Sequence, residues 1–283
     1  MKWIKATAGI VLLVLATTSC YHVTPPPKTN DELSSNFSLN DTGVALFLEE
    51  INNGDGTYSY VTDSTSDTGL PGQDGKSGRD VEYAGNLDGS LGFNFSKLDS
   101  NGNALSDQQS DYASTPWYCV SDKVTGLTWE VKTYSGLQDT RFRYTWYNPD
   151  PTENGGNAGA LGSGSTCELT LTECNTAAYL TAINALNGTG LCGKSDWRVP
   201  TREELRSLIH YGMPRGTPMI DTNFFPNTST ADYWSSQTSL IEADDGTYTG
   251  ADAWEVHFQA GYSETHDKGS TQIALRLVRG PEK

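Results

Sequence analysis

The sequence predicts a disulfide-stabilised α+β domain, on three observations. Short apolar-alternating runs are separated by tight-turn dipeptides. Two helix-length segments sit in the middle of the chain. Four cysteines remain behind an N-terminal export signal. Gly, Ser, Thr, Asn and Asp are abundant among many aromatics, a composition suited to a loop-rich extracytoplasmic fold. The 283 residues divide into a signal at 1–19, a tether at 20–36, a turn-rich β part at 37–112 and a second part at 113–283.

Lys2 and Lys5 precede an apolar run from Ile10 to Ala16, then Thr17, Thr18, Ser19 and Cys20. This is a secretory signal ending at a cysteine, with an apolar run too short for a permanent membrane span. It resembles a bacterial lipoprotein signal, which implies lipidation of Cys20. The residue after it is Tyr21 rather than aspartate, which by the same resemblance implies the outer membrane or cell surface. The next stretch holds Pro25 to Pro27 and no apolar periodicity, as a flexible tether does.

Turn signals at Asn53-Gly54-Asp55-Gly56, Pro71-Gly72, Asp88-Gly89 and Asn101-Gly102 bound strands expected at Val44–Leu48, Tyr58–Val61 and Leu91–Leu98. Asp99, Asn101 and Asn103 are spaced like the start of a calcium loop. They lack its glycine and glutamate and read as a hairpin turn. Strands are expected at Trp117–Val120, Gly126–Val131 and Arg143–Tyr147, and an exposed loop at 148–166. The first helix is expected from Thr176 to Asn187, with Leu180, Ile183 and Leu186 buried. Thr201 and Glu204 form a capping box that opens a second helix. Its buried stripe is Leu205, Leu208 and Ile209, and Gly212 ends it. In the last third, Trp254, Val256 and Phe258 alternate with Glu255, His257 and Gln259. Ile273, Leu275 and Leu277 alternate with Ala274, Arg276 and Val278. An acidic surface loop is expected between Leu240 and Gly250.

Four cysteines in an exported chain imply two disulfides, with three pairings available. A helix of roughly twelve residues after Cys174 is about 18 Å long, and few residues remain to bring Cys192 back to its start. That geometry favours Cys167–Cys174 and Cys119–Cys192. The Cys-x6-Cys spacing does not suit zinc.

The formal charge is −16, and −18 once Lys2 and Lys5 leave with the signal. Nucleic-acid partners are excluded on that balance, and sulfated polysaccharide is disfavoured unless a cation bridges. No G-x-S-x-G or H-E-x-x-H occurs, so no catalytic set and no metal set is assigned. His22 lies in the tether, while His257 and His266 flank a turn. Asp244, Asp245 and Asp252 are the candidates for calcium, in competition with a solvated acidic loop. Tyr248 is the candidate loop aromatic for ligand contact. Asp196, Trp197 and Arg198 are expected to fix a corner before the helix, with a buried indole and a hydrogen-bonded ion pair. Trp129, Trp234 and Trp254 read as core on alternating strands.

The ordered set Cys119-Val120-x-Asp122-x-x-Thr125-Gly126-Leu127-x-Trp129-Glu130, Leu191-Cys192-Gly193, Asp196-Trp197-Arg198-x-Pro200-Thr201, Tyr233-Trp234-Ser235-Ser236, Ala253-Trp254-x-Val256-x-Phe258 and Arg276-x-Val278-Arg279-Gly280 resembles the Lcl C-terminal domain family. The blocks Leu39–Gly43, Pro71–Asp74 and Gly78–Asp80 look like an accompanying N-terminal part. The family is similar in pattern to the C-type-lectin-like and formylglycine-generating-enzyme folds. That implies a C-type-lectin-like α+β architecture: a twisted antiparallel sheet, two helices and long irregular loops. The family takes its name from a bacterial collagen-like adhesin, which implies attachment to polysaccharide. No collagen-like repeat precedes the domain here, and no cysteine follows Cys192 to supply the thiol pair of the formylglycine-generating enzymes.

These readings give a surface-anchored lipoprotein whose domain binds a glycan, or an envelope or host protein, without an enzymatic role or a required cofactor. Its contact with the membrane is through the lipid anchor alone. The alternatives are an envelope structural component without external ligand, and a formylglycine-generating-type enzyme with altered chemistry.

Overall fold

The computed structural model describes residues 40, 42, 47–54, 56–63, 92–214, 216–242, 246 and 248–281. Expectations on the signal, Cys20, the tether, His22, Val44, Leu91, the 71–80 blocks, Asp244 and Asp245 lie outside them. No helix among the described residues is long and apolar enough to cross a membrane.

Among the described residues, antiparallel sheets combine with two short α-helices and two disulfides. Strands β1 (Phe47–Asn52) and β2 (Tyr58–Asp63) form a hairpin. Strands β3 (Phe95–Leu98), β4 (Cys119–Asp122), β5 (Thr128–Glu130) and β9 (Val278–Arg279) form a sheet in the order β3-β4-β5-β9. Strands β6 (Asp232–Glu242), β7 (Tyr248–His257) and β8 (Ser263–Asp267) form a three-stranded meander. Its β6–β7 hairpin occupies most of the expected 240–250 surface loop. The four-stranded sheet takes β3 from before residue 113 and the other strands from after it. Asp99 turns the chain after β3, its Oδ1 accepting the backbone N–H groups of Asn101 and Asn103. This is the hairpin-type turn read from the spacing.

Helix α1 (Thr176–Asn184) starts on Asn175, whose side chain accepts the N–H of Ala178. It is shorter than its apolar spacing suggests: it ends at Asn184, and a separate turn over Leu186–Gly188 follows, with Asn187 in the left-handed region at φ 52°. Thr176, Tyr179 and Ile183 are its buried residues, and Leu180 and Leu186 are only partly covered. Helix α2 (Arg202–Arg206) has the expected capping box between Thr201 and Glu204, but runs five residues. Leu208 and Ile209 are buried from the turn that follows, not from the helix.

Cys119–Cys192 and Cys167–Cys174 are the two disulfides, the pairing that helix length favours. The expected strand at Arg143–Tyr147 makes isolated bridges only, at Thr145 and Tyr147. Residues 148–166 are not a free loop. Asn154 is buried, and Lys268 Nζ donates to the carbonyls of Asn154 at 2.9 Å and Asn157 at 2.7 Å.

Two apolar cores form among the described residues. One gathers Phe95, Trp117, Trp129, Leu205, Phe225 and Val256. The other gathers both disulfides, Trp146, Tyr179, Trp197, Trp234 and Leu275. The 273–278 segment threads between them. Ile273, Leu275 and Leu277 enter the second core, while Ala274 and Val278 enter the first. Its expected polar face is therefore buried. Arg276 is fully buried there, donating to the Glu130 carbonyl and to Thr228 Oγ1 at 2.7 Å each. Burying a guanidinium requires such partners.

Candidate binding site

A cleft of about 560 Å³ opens where β6, β7, α2 and the 148–160 segment meet. Its base is built by an irregularity in β6. Trp234 pairs with Glu255 and Thr238 with Ala253, so three residues of β6, Ser235 to Gln237, stand opposite one of β7, Trp254. The extra residues, Ser235 to Gln237, bulge toward α2. The Ser236 N–H donates to the Pro200 carbonyl at 2.7 Å, and the Gln237 Oε1 accepts the Arg202 N–H at 2.9 Å. The bulge thus fixes the helix start, as bulges commonly re-aim side chains. Arg202 is placed with its guanidinium carbon 4.4 Å from the centroid of the Trp254 ring. Glu203 holds the same guanidinium at 2.7 Å and 3.0 Å.

Thr152, Glu153 and Gly155 form the opposite wall. Gly155 has φ +63°, and a Cβ there would lie 2.6 Å from Thr238 Cγ2, so only glycine lets this wall close on β6. Lys268 anchors the wall from beneath. Besides the two carbonyls, it donates to Thr238 Oγ1 at 3.0 Å and sits 4.0 Å over the Trp146 ring. Burial pulls its ammonium down to about 8, against a weaker opposing pull from Asp252. Trp146 in turn donates its Nε1–H to the Ser235 carbonyl at 2.8 Å, tying the second core to the bulge.

The cleft therefore presents a partly exposed indole, the exposed Leu240, and a guanidinium, an amide and a carboxylate from Arg202, Gln237 and Glu153. An apolar ring beside planar polar groups suits a ligand with one apolar face and a rim of hydroxyls.

Trp254 departs from the core role expected of it, whereas Trp129 and Trp234 are fully buried. The Asp-Trp-Arg corner also differs in its pairing. Trp197 is buried and donates to the Leu191 carbonyl at 2.9 Å. Asp196 and Arg198 do not pair with each other. Asp196 accepts from Arg279 at 2.8 Å and 3.2 Å, and Arg198 forks onto Glu204 at 2.7 Å and 2.6 Å. The corner is thereby tied to β9 on one side and to α2 on the other.

Tyr248 is exposed and in register with Glu242, and does not line the cleft. Asp252 is in register with Ser239 and Asp267 inside the meander, not on a loop. Arg202, Gln237 and Glu153 were not singled out from sequence. Arg202 carried a weak signal as the first residue after a cap. Gln237 and Glu153 carried none, because the bulge and the 148–160 fold are tertiary features.

The family model described as the Lcl C-terminal domain matches residues 118–279, more than half of the chain. No curated protein matches the chain, and no solved structure does.

Proposed function

The chain belongs to the Lcl C-terminal domain family, and from that premise we propose that it is a binding module whose Trp254 cleft takes a glycan. The protein is exported and lipid-anchored at Cys20, at the outer membrane or cell surface. Its fold is C-type-lectin-like in pattern, and its role is capture rather than catalysis. The observation that carries the reading is the partly exposed indole flanked by Arg202, Gln237 and Glu153 in one cleft. Sugar rings offer an apolar face for the indole and hydroxyls for the planar groups. The net charge of −16 favours a neutral glycan over a sulfated one. The four described cysteines are held in disulfides, which leaves formylglycine-type chemistry without thiols among them.

The test is a glycan array probed with the full chain in detergent. Selective binding is expected, and it disappears in Trp254→Ala and weakens in Gln237→Ala. Tyr248→Ser, outside the cleft, retains it. A blank array, or a Trp254→Ala protein that is folded and binds as well as the parent, overturns the reading.

A further inference from the structure

On the face of β7 opposite Trp254, three carboxylates converge. Asp232 of β6, Glu255 of β7 and Glu264 of β8 each bring an oxygen within 4.8 Å of the other two. The register explains the convergence. Glu255 is opposite Glu264 on one side, and Asp232 opposes His257 two residues along on the other. Like charges directly across a sheet are destabilising, so this arrangement requires something to offset it.

Glu255 makes the requirement acute. Its side chain is fully buried, and neither carboxylate oxygen accepts a hydrogen bond. Asp232 Oδ1 is likewise buried and accepts none. Orphaned buried carboxylates are costly, and native structures pair them or give them a cation. The nearest cationic candidates are imidazoles. His266 Nδ1 is 3.6 Å from Glu255 Oε1, and His257 Nε2 is 3.6 Å from Asp232 Oδ1, both beyond hydrogen-bond range. Burial, with the charges of Asp232 and Glu264, pushes the Glu255 carboxyl up to about 8.

We propose that Asp232, Glu255 and Glu264, with His266, form a divalent-cation site. Three atoms no more than 4.8 Å apart share a point within about 2.8 Å of each, so a small contraction reaches the 2.0–2.6 Å of metal–oxygen bonds. The two histidines take different roles. His257 Nδ1 accepts the Gln259 N–H at 3.2 Å, so in the neutral ring Nε2 carries the proton and points it at Asp232. His257 is thus a positioning residue for a ligand carboxylate, as outer-shell partners commonly are. His266 Nδ1 makes no such bond; it stands outside the three converging carboxylates, 3.6 Å from Glu255 Oε1 on an exposed side chain, and would turn inward to add a nitrogen donor. Three carboxylates and one imidazole suit a first-row ion such as Mn²⁺ or Zn²⁺ better than Ca²⁺, which takes six to eight oxygens. The ion would also fasten β8, the edge strand of the meander, to β6 and β7. The site stands apart from the glycan cleft and does not depend on that reading.

The test uses the full chain after chelation, titrated with MnCl2, ZnCl2 and CaCl2 by calorimetry, with Mn²⁺ electron paramagnetic resonance and melting temperature as further readouts. One Mn²⁺ or Zn²⁺ per chain is expected, with a rise in melting temperature. Glu255→Gln abolishes binding. It also melts no lower than the metal-free parent, because it replaces a buried carboxyl crowded by Asp232 and Glu264 with a neutral amide of the same shape. Glu264→Gln, on an exposed side chain, tests the site where the buried variant fails to fold, and it too loses binding. His257→Ala weakens affinity about 10–100-fold. Absence of heat, spectral change and melting shift with all three ions overturns the proposal. So does binding that survives Glu264→Gln unchanged, which assigns the ion elsewhere.

Discussion

Replacing Lys268 by methionine tests how the wall of the cleft is held. Methionine keeps most of the stem's volume and removes only the donors, so the loss is polar. Lys268 is 1% exposed and serves three acceptors: Asn154 O, Asn157 O and Thr238 Oγ1. Asn154 is buried, so its carbonyl would be left without a partner at a cost of about 1–3 kcal/mol. Asn157 is exposed and would regain water. Loss of the ammonium over Trp146 adds about 0.5–2 kcal/mol. Relief from burying the ammonium offsets part of this, which leaves a net destabilisation of about 1–4 kcal/mol. The assay is urea denaturation at constant m-value, with amide exchange followed on the 148–160 segment. Exchange there should rise more than in the second core. A change below about 0.5 kcal/mol with unchanged exchange would show that water satisfies these carbonyls and that Lys268 is no anchor.

The disulfides should differ in worth. In the chain-entropy account, opening Cys119–Cys192, with a separation of 73 residues, costs about 4.4 kcal/mol. Opening Cys167–Cys174, with a separation of 7, costs about 2.4 kcal/mol. Denaturation of the two double-alanine variants measures both, and the reverse order refutes the loop-length argument. Lys132→Met leaves Glu130 buried without its 2.9 Å cation and should destabilise by about 3–5 kcal/mol, by the same denaturation measurement. Tyr179 and the Leu277 N–H, which also donate to Glu130, do not replace a charge. Asp139 is held below the ordinary carboxylate value of 3.8 chiefly by hydrogen bonds from the Arg141 side chain. Its folded form therefore binds protons less readily than its unfolded form. The stability it contributes is full above pH 3.8 and is lost as pH falls through the depressed value. Asp139→Asn should flatten that acid limb in melting curves between pH 2 and 5, and an unchanged limb would refute the assignment.

Local rules were legible where local interactions decide the outcome. The Thr201–Glu204 capping box needs only four residues, and it forms. The cysteine pairing followed from the length of one helix and the reach of the residues after it. The tight turn at Asp99 needed only its own side chain and the following amides. Helix lengths were overread for a physical reason. Leu208 and Ile209 continue an apolar stripe after α2, but their N–H groups bond three residues back, to the carbonyls of Leu205 and Arg206, and they are buried from a tightened turn outside the α-helix. Apolar spacing reports burial, and burial does not require a helix.

Strand β7 shows why the candidate binding residues were the least legible. Period-two alternation assumes one wet face, and it put Trp254 inside with Glu255 outside. The meander is instead covered on both faces. Val256 and Tyr233 enter one core, and Ala253 and Trp234 enter the other. With cover on both sides, neither parity marks the surface. What reaches solvent is decided by where the covering segments stop. Trp254 is left partly open because the β6 bulge holds α2 and the 152–155 wall apart above it. Glu255 is closed in because β8 lays Glu264 and His266 beside it. A hydrophobic residue at the rim and an acid in the interior are two local violations on adjacent positions of one strand. Such violations persist where function offsets their cost, and here they coincide with the proposed glycan cleft and the proposed cation site on opposite faces of β7.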